Sequence, residues 1–192
     1  MHSEDDTWLE HLEYTCIQAD LLSLEVDAVV IPVNVTLNLN YTLGQLLAQR
    51  GGPKVADRLL ALARTLPNGR LTLGTATSIP TQDLQYLPKR VIVVAWWNKN
   101  TAYHDQHIYK CYASALREAF KHGASSLALP ILGGGGGVEP QRRARVICTL
   151  LRQFDQLKRS GSFPVRRLCF ADLARRPLDA IESELDQNLY RP

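Results

Sequence analysis

Apolar residues along this chain fall into two alternating kinds of run. Short continuous ones occupy residues 28–33 (Ala-Val-Val-Ile-Pro-Val), 90–96 and 126–132, with strand-like segments also at 14–18, 74–79 and 166–171. Unbroken β-branched and apolar patterning is what a strand covered on both faces requires. Between these runs the apolar positions recur every three or four residues. Leu43, Leu46 and Leu47 mark residues 42–50; Val55, Leu59, Leu60 and Leu62 mark 54–63; Ile108 through Phe120 mark 105–122. Ala144, Ile147, Cys148, Leu151, Phe154 and Leu157 mark 141–160, and a last stretch covers 173–189 with Pro177 near its start. This spacing predicts helices, and Gly51-Gly52-Pro53, Pro67-Asn68-Gly69 and Gly123 supply the breaks between elements. The alternation, with neither an internal repeat nor a linker, predicts one domain over residues 1–192. Its expected class is α/β: a three-layer α/β/α sandwich with a mixed, largely parallel central sheet.

The stretch that organises the rest is Ser126-Leu-Ala-Leu-Pro-Ile-Leu-Gly-Gly-Gly-Gly-Gly-Val-Glu-Pro140. A buried strand leads into five consecutive glycines and then into a helix for which Pro140 suits the first position. Glycines let backbone N–H groups converge without a Cβ in the way, and a helix N-terminus adds unpaired donors and partial positive charge. The arrangement points to a phosphate-binding loop. A flexible linker is the alternative, but linkers carry Ser and polar neighbours and do not join a buried strand to an amphipathic helix. The sequence lacks the Gly-Lys-Ser/Thr ending of a Walker loop, and its glycines come too late for the usual dinucleotide fingerprint.

Composition narrows the picture a little. Hydrophobic residues make up 45% and charged ones 21%, within the globular range. A net charge of +3 without a dense basic block does not by itself call for nucleic acid and suits an anionic ligand equally well. Cys16, Cys111, Cys148 and Cys169 are far apart, with no Cys/His cluster at zinc spacing, so they read as buried thiols in a reducing compartment and no metal or cofactor is expected. No signal peptide or membrane-length apolar run is visible, which makes a cytoplasmic location the default.

Several separated motifs together resemble the macro domain, the ADP-ribose-binding module. Ala19-Asp20-Leu21 is similar to the family's Gly-Asp-Ile/Leu, and Val26-Asp27-Ala28-Val29-Val30-Ile31-Pro32-Val33-Asn34 to its Val-Asp-Ala-Ile-Val-Asn-Ala-Ala-Asn. Gly74-Thr75-Ala76 looks like its Gly-x-Ala, and Cys111-Tyr112 with Leu116 its Cys-Tyr-x-x-x-Leu helix. Residues 129–140 match the length and position of its Phe-Pro-Ala-Ile-Ser-Thr-Gly-x-x-Gly-x-Pro loop, with Gly135 at the fixed glycine. The resemblance spans residues 14–189 and rests on the order and spacing of these motifs.

What the resemblance implies is a set of ligand contacts. Asp20 would accept from the adenine amine, with Leu21 offering a backbone amide; Asp20 read alone is a solvated strand-end carboxylate. Gly133, Gly134, Gly135, Gly136, Gly137 and Val138 would wrap a diphosphate through their amides. Asn34, otherwise a turn-forming residue, would lie by the distal ribose with Tyr41. The ligand would be ADP-ribose or a related nucleotide, free or on a modified macromolecule, bound by a monomer. In the hydrolytic members an Asp thought to activate water occupies the position of Leu43, and a glycine run occupies that of Leu39-Asn40-Tyr41-Thr42. Leucine can neither accept a proton nor polarise water. Binding without efficient hydrolysis is therefore expected, with no catalytic residue assigned.

Two other readings stay open. One is a hydrolase or phosphatase acting on ADP-ribose derivatives through a nonstandard base; His104 and His107 are candidates, otherwise exposed loop histidines. The other, less favoured, is a nucleic-acid or protein module that has lost the ligand, using Arg142, Arg143, Arg145 and Arg152, which otherwise read as a solvated helix face. Trp96 and Trp97 either stack on a ring or fill a sheet edge.

Overall fold

The computed structural model describes residues 12–98, 104–134, 137–159 and 164–188. Its centre is a six-stranded sheet in the order β1-β6-β5-β2-β4-β3. The strands are β1 (Glu13–Gln18), β2 (Ala28–Asn34), β3 (Ala76–Pro80), β4 (Arg90–Trp97), β5 (Ser126–Pro130) and β6 (Arg167–Asp172). All neighbouring pairs are parallel except β3 with β4. Five helices complete the layers: α1 (Thr42–Gly51), α2 (Pro53–Thr65), α3 (Asp105–Lys121), α4 (Pro140–Arg159) and α5 (Arg175–Asn188).

The expected three-layer α/β/α architecture is what forms, because the apolar runs are covered on both sides. Alternate residues of β2 point to opposite faces: Ala28 and Val30 join a core with α3, α4 and α5, while Val29, Ile31 and Val33 join a second core with α1 and α2. Each fully buried aliphatic side chain contributes about 1.5–3 kcal/mol of transfer free energy, so β2 has no face that could be exposed cheaply. Asp27, just before β2, ties the sheet together at its other end. Its carboxylate accepts from Lys89 Nζ at 2.9 Å, Ser125 Oγ at 2.6 Å and Ser126 N at 3.2 Å.

Two sequence expectations need correction. The run 126–132 was expected to be strand throughout, but β5 ends at Pro130. Ile131 and Leu132 leave the sheet because the buried Tyr112 hydroxyl, projecting from α3, donates to Pro130 O at 2.8 Å and accepts from Leu132 N at 2.9 Å. A side chain replaces the next strand partner. The second correction concerns Arg143, read with its neighbours as part of a solvated face: it is only 6% exposed. Arg142 and Arg145 keep the expected exposure and pair with Asp105 and, at 3.9 Å, with Glu184.

Candidate functional site

Parallel strands in an open sheet end on one edge, and a crevice opens where successive connections leave toward opposite faces. That condition is met between β2 and β5. The chain leaves β2 toward α1, on one face, and leaves β5 toward α4, on the other. A cleft of about 460 Å³ lies there, within the size range of small-molecule sites. Its walls come from the carboxyl ends of the parallel strands: Asp20 after β1, Val33 on β2, Trp96 and Trp97 on β4, Pro130 on β5 and Asp172 on β6.

Sheet order fixes the sequence of features across the cleft. At one end β1 and β6 run side by side, Gln18 opposite Asp172, which brings Asp20 and Leu21 next to Asp172 and Leu173. In the middle, Ile131, Leu132, Gly133 and Gly134 follow β5. At the other end β2 and β4 deliver Tyr41, Leu43, Leu46, Trp96 and Trp97. The carboxylates and the aromatic rings are thus separated by the glycine segment.

At the acidic end Asp20 is already engaged. One carboxylate oxygen caps the short helical turn Leu21–Ser23, accepting from Leu22 N at 2.9 Å, and the other accepts from the Arg50 guanidinium. Its side chain remains 28% exposed. A carboxylate offers about four lone-pair sites, so each oxygen retains an acceptor position, and the residue lines the cleft. Asp172 takes one bond, from Ala174 N at 2.8 Å. Leu173 stands 66% exposed beside them, an apolar surface open to a planar ring.

The glycine segment differs in detail from the sequence expectation. Gly133 and Gly134 line the cleft, but the amides of Gly137 and Val138 do not open toward it. They close the loop on itself: Gly137 N donates to Gly134 O at 3.3 Å and Val138 N to Gly133 O at 3.2 Å. Gly133 has φ +101° and Gly137 φ +71°, values that L side chains rarely adopt. Gly135 and Gly136 lie outside the described residues. Packed against the segment is the Arg143 side chain, whose Cδ is 3.0 Å from where a Cβ on Gly133 would stand and whose Nη1 is 3.3 Å from that point on Gly134. Burial pulls its pKa below the ordinary guanidinium value, against the opposing pull of Tyr112 and Asp172.

Asn34 does not line the cleft. Its Oδ1 accepts from Thr36 N at 3.2 Å, Thr36 Oγ1 at 3.0 Å and Asn38 N at 2.8 Å, which makes it the template of the turn after β2. Leu37 in that turn takes φ +58° with its side chain buried in the second core. The turn in turn packs tightly on α1, since a Cβ on Gly44 would lie 2.7 Å from Leu39 O. Tyr41, 44% exposed, meets Trp97 edge to face at 5.7 Å. Trp96 stacks on His107, whose Nε2 lies 2.8 Å from Trp96 O. His107 therefore stands behind the wall, and His104 precedes α3 as an exposed residue. The aromatic end has neither carboxylate nor imidazole among its described lining residues.

Cys111 lies 3.8 Å from His107 Nε2, but burial pushes its thiol up to about 12, so the pair holds no thiolate near neutrality. Among the described residues no group of His, Cys, Asp or Glu is arranged to hold a metal ion, and no helix is long and apolar enough to cross a membrane. Sequence reasoning missed Asp172 and Leu173 as lining residues, and it named Arg143 only among the arginines of a nucleic-acid reading. The first two had a usable signal, the carboxyl end of the last strand.

The Macro domain family model matches residues 30–148. Among solved structures, a variant of the Oceanobacillus iheyensis macrodomain with ADPR superimposes with a TM-score of 0.82 at 16% identity, over 95% of this chain and 97% of that one. The Oceanobacillus iheyensis macrodomain with ADP gives 0.80 at 16% identity, covering 93% of each chain. The Trypanosoma brucei macrodomain in complex with ADP gives 0.71 at 19% identity, over 95% of this chain and 72% of that one. Comparison with curated protein sequences finds no match.

Proposed function

Because the chain belongs to the macro domain family, we propose that its cleft binds ADP-ribose or a related adenine diphosphate ligand and does not hydrolyse it efficiently. The observation that carries this reading is the order of features across the sheet edge: carboxylate and exposed leucine, then glycine segment, then aromatic wall. An adenine diphosphate ribose has the same order of chemistry. Its amine is a donor for an acceptor-only group, its ring offers flat apolar faces, and its diphosphate seeks N–H donors and positive charge.

Asp20 accepts from the adenine amine with an unused lone pair, and the Leu21 amide meets the ring edge. Leu173 covers one face of the base. The diphosphate lies over Gly133 and Gly134, near the N-terminus of α4, whose first turn carries no acidic residue. The distal ribose lies against Tyr41 and Trp97. Solved macrodomains with ADPR or ADP bound support this class of ligand. The lack of efficient hydrolysis follows from Leu43, whose side chain stands in the aromatic end where a water-activating base would be needed.

The test is calorimetric titration with ADP-ribose, with ADP, AMP and NAD as comparators, on the wild type and Asp20→Asn. Asn keeps an oxygen for the Leu22 cap and replaces one acceptor with a donor. Micromolar binding that falls at least about tenfold in the variant, or about 1.4 kcal/mol, is the expected result. No heat with any of the four ligands sinks the proposal. Incubating excess protein with an ADP-ribosylated protein substrate checks the second half: measurable single-turnover release would mean that a base outside the described lining residues acts.

A further inference from the structure

Three arginines stand in the first two turns of α4, and only one of them faces inward. Arg142 pairs with Asp105 and Arg145 with Glu184. Arg143 is 6% exposed, its buried Nε has no hydrogen-bond partner, and it forms no ion pair among the described residues. A buried N–H without a partner is an unfavourable feature, and it sits on a guanidinium that burial holds below its ordinary pKa. Tyr112, which acts on it electrostatically, is a hydroxyl already committed to Pro130 O and Leu132 N. Asp172 acts on it only from beyond ion-pair distance.

The position of this guanidinium is informative. It packs against Gly133 and Gly134, the two glycines that form the middle of the cleft wall. A Cβ at Gly133 would meet its side chain at 3.0 Å, tighter than most real Cβ contacts, and φ there is +101°. The glycines therefore serve two purposes at once. They line the cleft, and the absence of a Cβ on each leaves room for the Arg143 side chain, which packs against them without lining the cleft itself.

We propose that Arg143 is the charge-specifying residue of this site, a buried cation that an anionic diphosphate neutralises through the glycine segment. The proposal rests on the reading of the cleft given above and adds its selectivity: ligands carrying a diphosphate gain from Arg143, whereas the nucleoside part does not. Buried charge acts over several ångströms with less screening than surface charge, so a partner need not touch it.

The experiment compares wild type, Arg143→Met and Arg143→Lys by calorimetry with ADP-ribose, inorganic pyrophosphate and adenosine, and by ligand-free thermal unfolding. Met fills similar space without charge. The expected result is at least about a tenfold loss for ADP-ribose and pyrophosphate in R143M, unchanged adenosine binding, and substantial recovery in R143K. The ligand-free midpoint of R143M should equal or exceed that of wild type, because a desolvated guanidinium with an unsatisfied Nε has been removed.

Pyrophosphate binding to R143M at wild-type affinity overturns the proposal. So does a parallel loss for all three ligands together with a lower midpoint, which marks a structural prop. If wild type ignores ADP-ribose while pyrophosphate stabilises wild type and R143K but not R143M, the nucleotide reading fails and the role of Arg143 stands. If pyrophosphate leaves wild type unchanged, the role of Arg143 fails, and ADP-ribose binding decides the other reading by itself. Should R143M not fold, R143K against R143Q carries the same comparison.

Discussion

Replacing Tyr112 with Phe isolates what holds the glycine segment in place. The ring keeps its packing, including the edge contact with Phe170 at 6.3 Å, and only the hydroxyl disappears. With it go the bonds to Pro130 O and from Leu132 N, in a region where Tyr112 is fully buried and Leu132 3% exposed. Leaving a buried polar group unsatisfied costs about 1–3 kcal/mol, somewhat less for a carbonyl with a second lone pair. The two losses together predict a destabilisation of about 2–4 kcal/mol. At this chain length each kcal/mol moves the thermal midpoint by roughly 2–4 °C, so a fall of about 4–16 °C is expected. Urea unfolding of wild type and Tyr112→Phe measures the difference, provided the slopes agree. Hydrogen exchange at the Leu132 amide should accelerate by at least the factor given by that free energy. A change below about 0.5 kcal/mol, the ordinary range for an inconsequential substitution, would refute the view that this hydroxyl ends β5 and sets the loop.

Other expectations follow from the same geometry. The Asp27 carboxyl is held well below the usual carboxylate range, chiefly by the Ser125 hydroxyl and also by Lys89. Its stabilising contribution is thus present above about pH 4 and lost as pH falls below that. Asp27→Asn should lower the midpoint at pH 7, with the gap to wild type narrowing steadily as pH falls below about 4; a gap constant with pH contradicts the assignment. Gly44→Ala should destabilise by about 1–3 kcal/mol, since its methyl would press on the Leu39 backbone, and chemical denaturation checks it. The Cys16, Cys111 and Cys148 thiols are pushed up to about 12 by burial. Aromatic disulfide reagents at pH 8 should therefore leave these three essentially unmodified in the native protein, and react with them promptly after unfolding.

What the sequence made legible was local. The run 28–33 and the helical spacing of 105–122 require only near neighbours to be read, and β2 and α3 formed where those patterns lie. The carboxyl-edge position of the cleft followed from strand and helix alternation. What stayed hidden depends on residues distant in sequence. Asp172 joins Asp20 at one end of the cleft only because β1 and β6 pair in parallel, although they are far apart in the sequence. The end of β5 is set by a tyrosine on α3, and Asn34 turns away because the next four residues supply three donors to its side chain. Arg143 was the hardest. A long charged side chain reads as exposed on any helix face, and nothing in spacing tells that two glycines ten and nine residues earlier leave a space beside them.

The central claim, that ADP-ribose occupies the cleft between the Asp20 end and the Trp97 end, is tested most directly by a backbone amide NMR titration. The account predicts saturable shifts at Leu21, Gly133, Gly134 and Tyr41, with the amides of Val138 and Gly137 keeping their internal hydrogen bonds. Saturating ADP-ribose that leaves these amides unmoved, or moves only residues away from the carboxyl edge of the sheet, would contradict it.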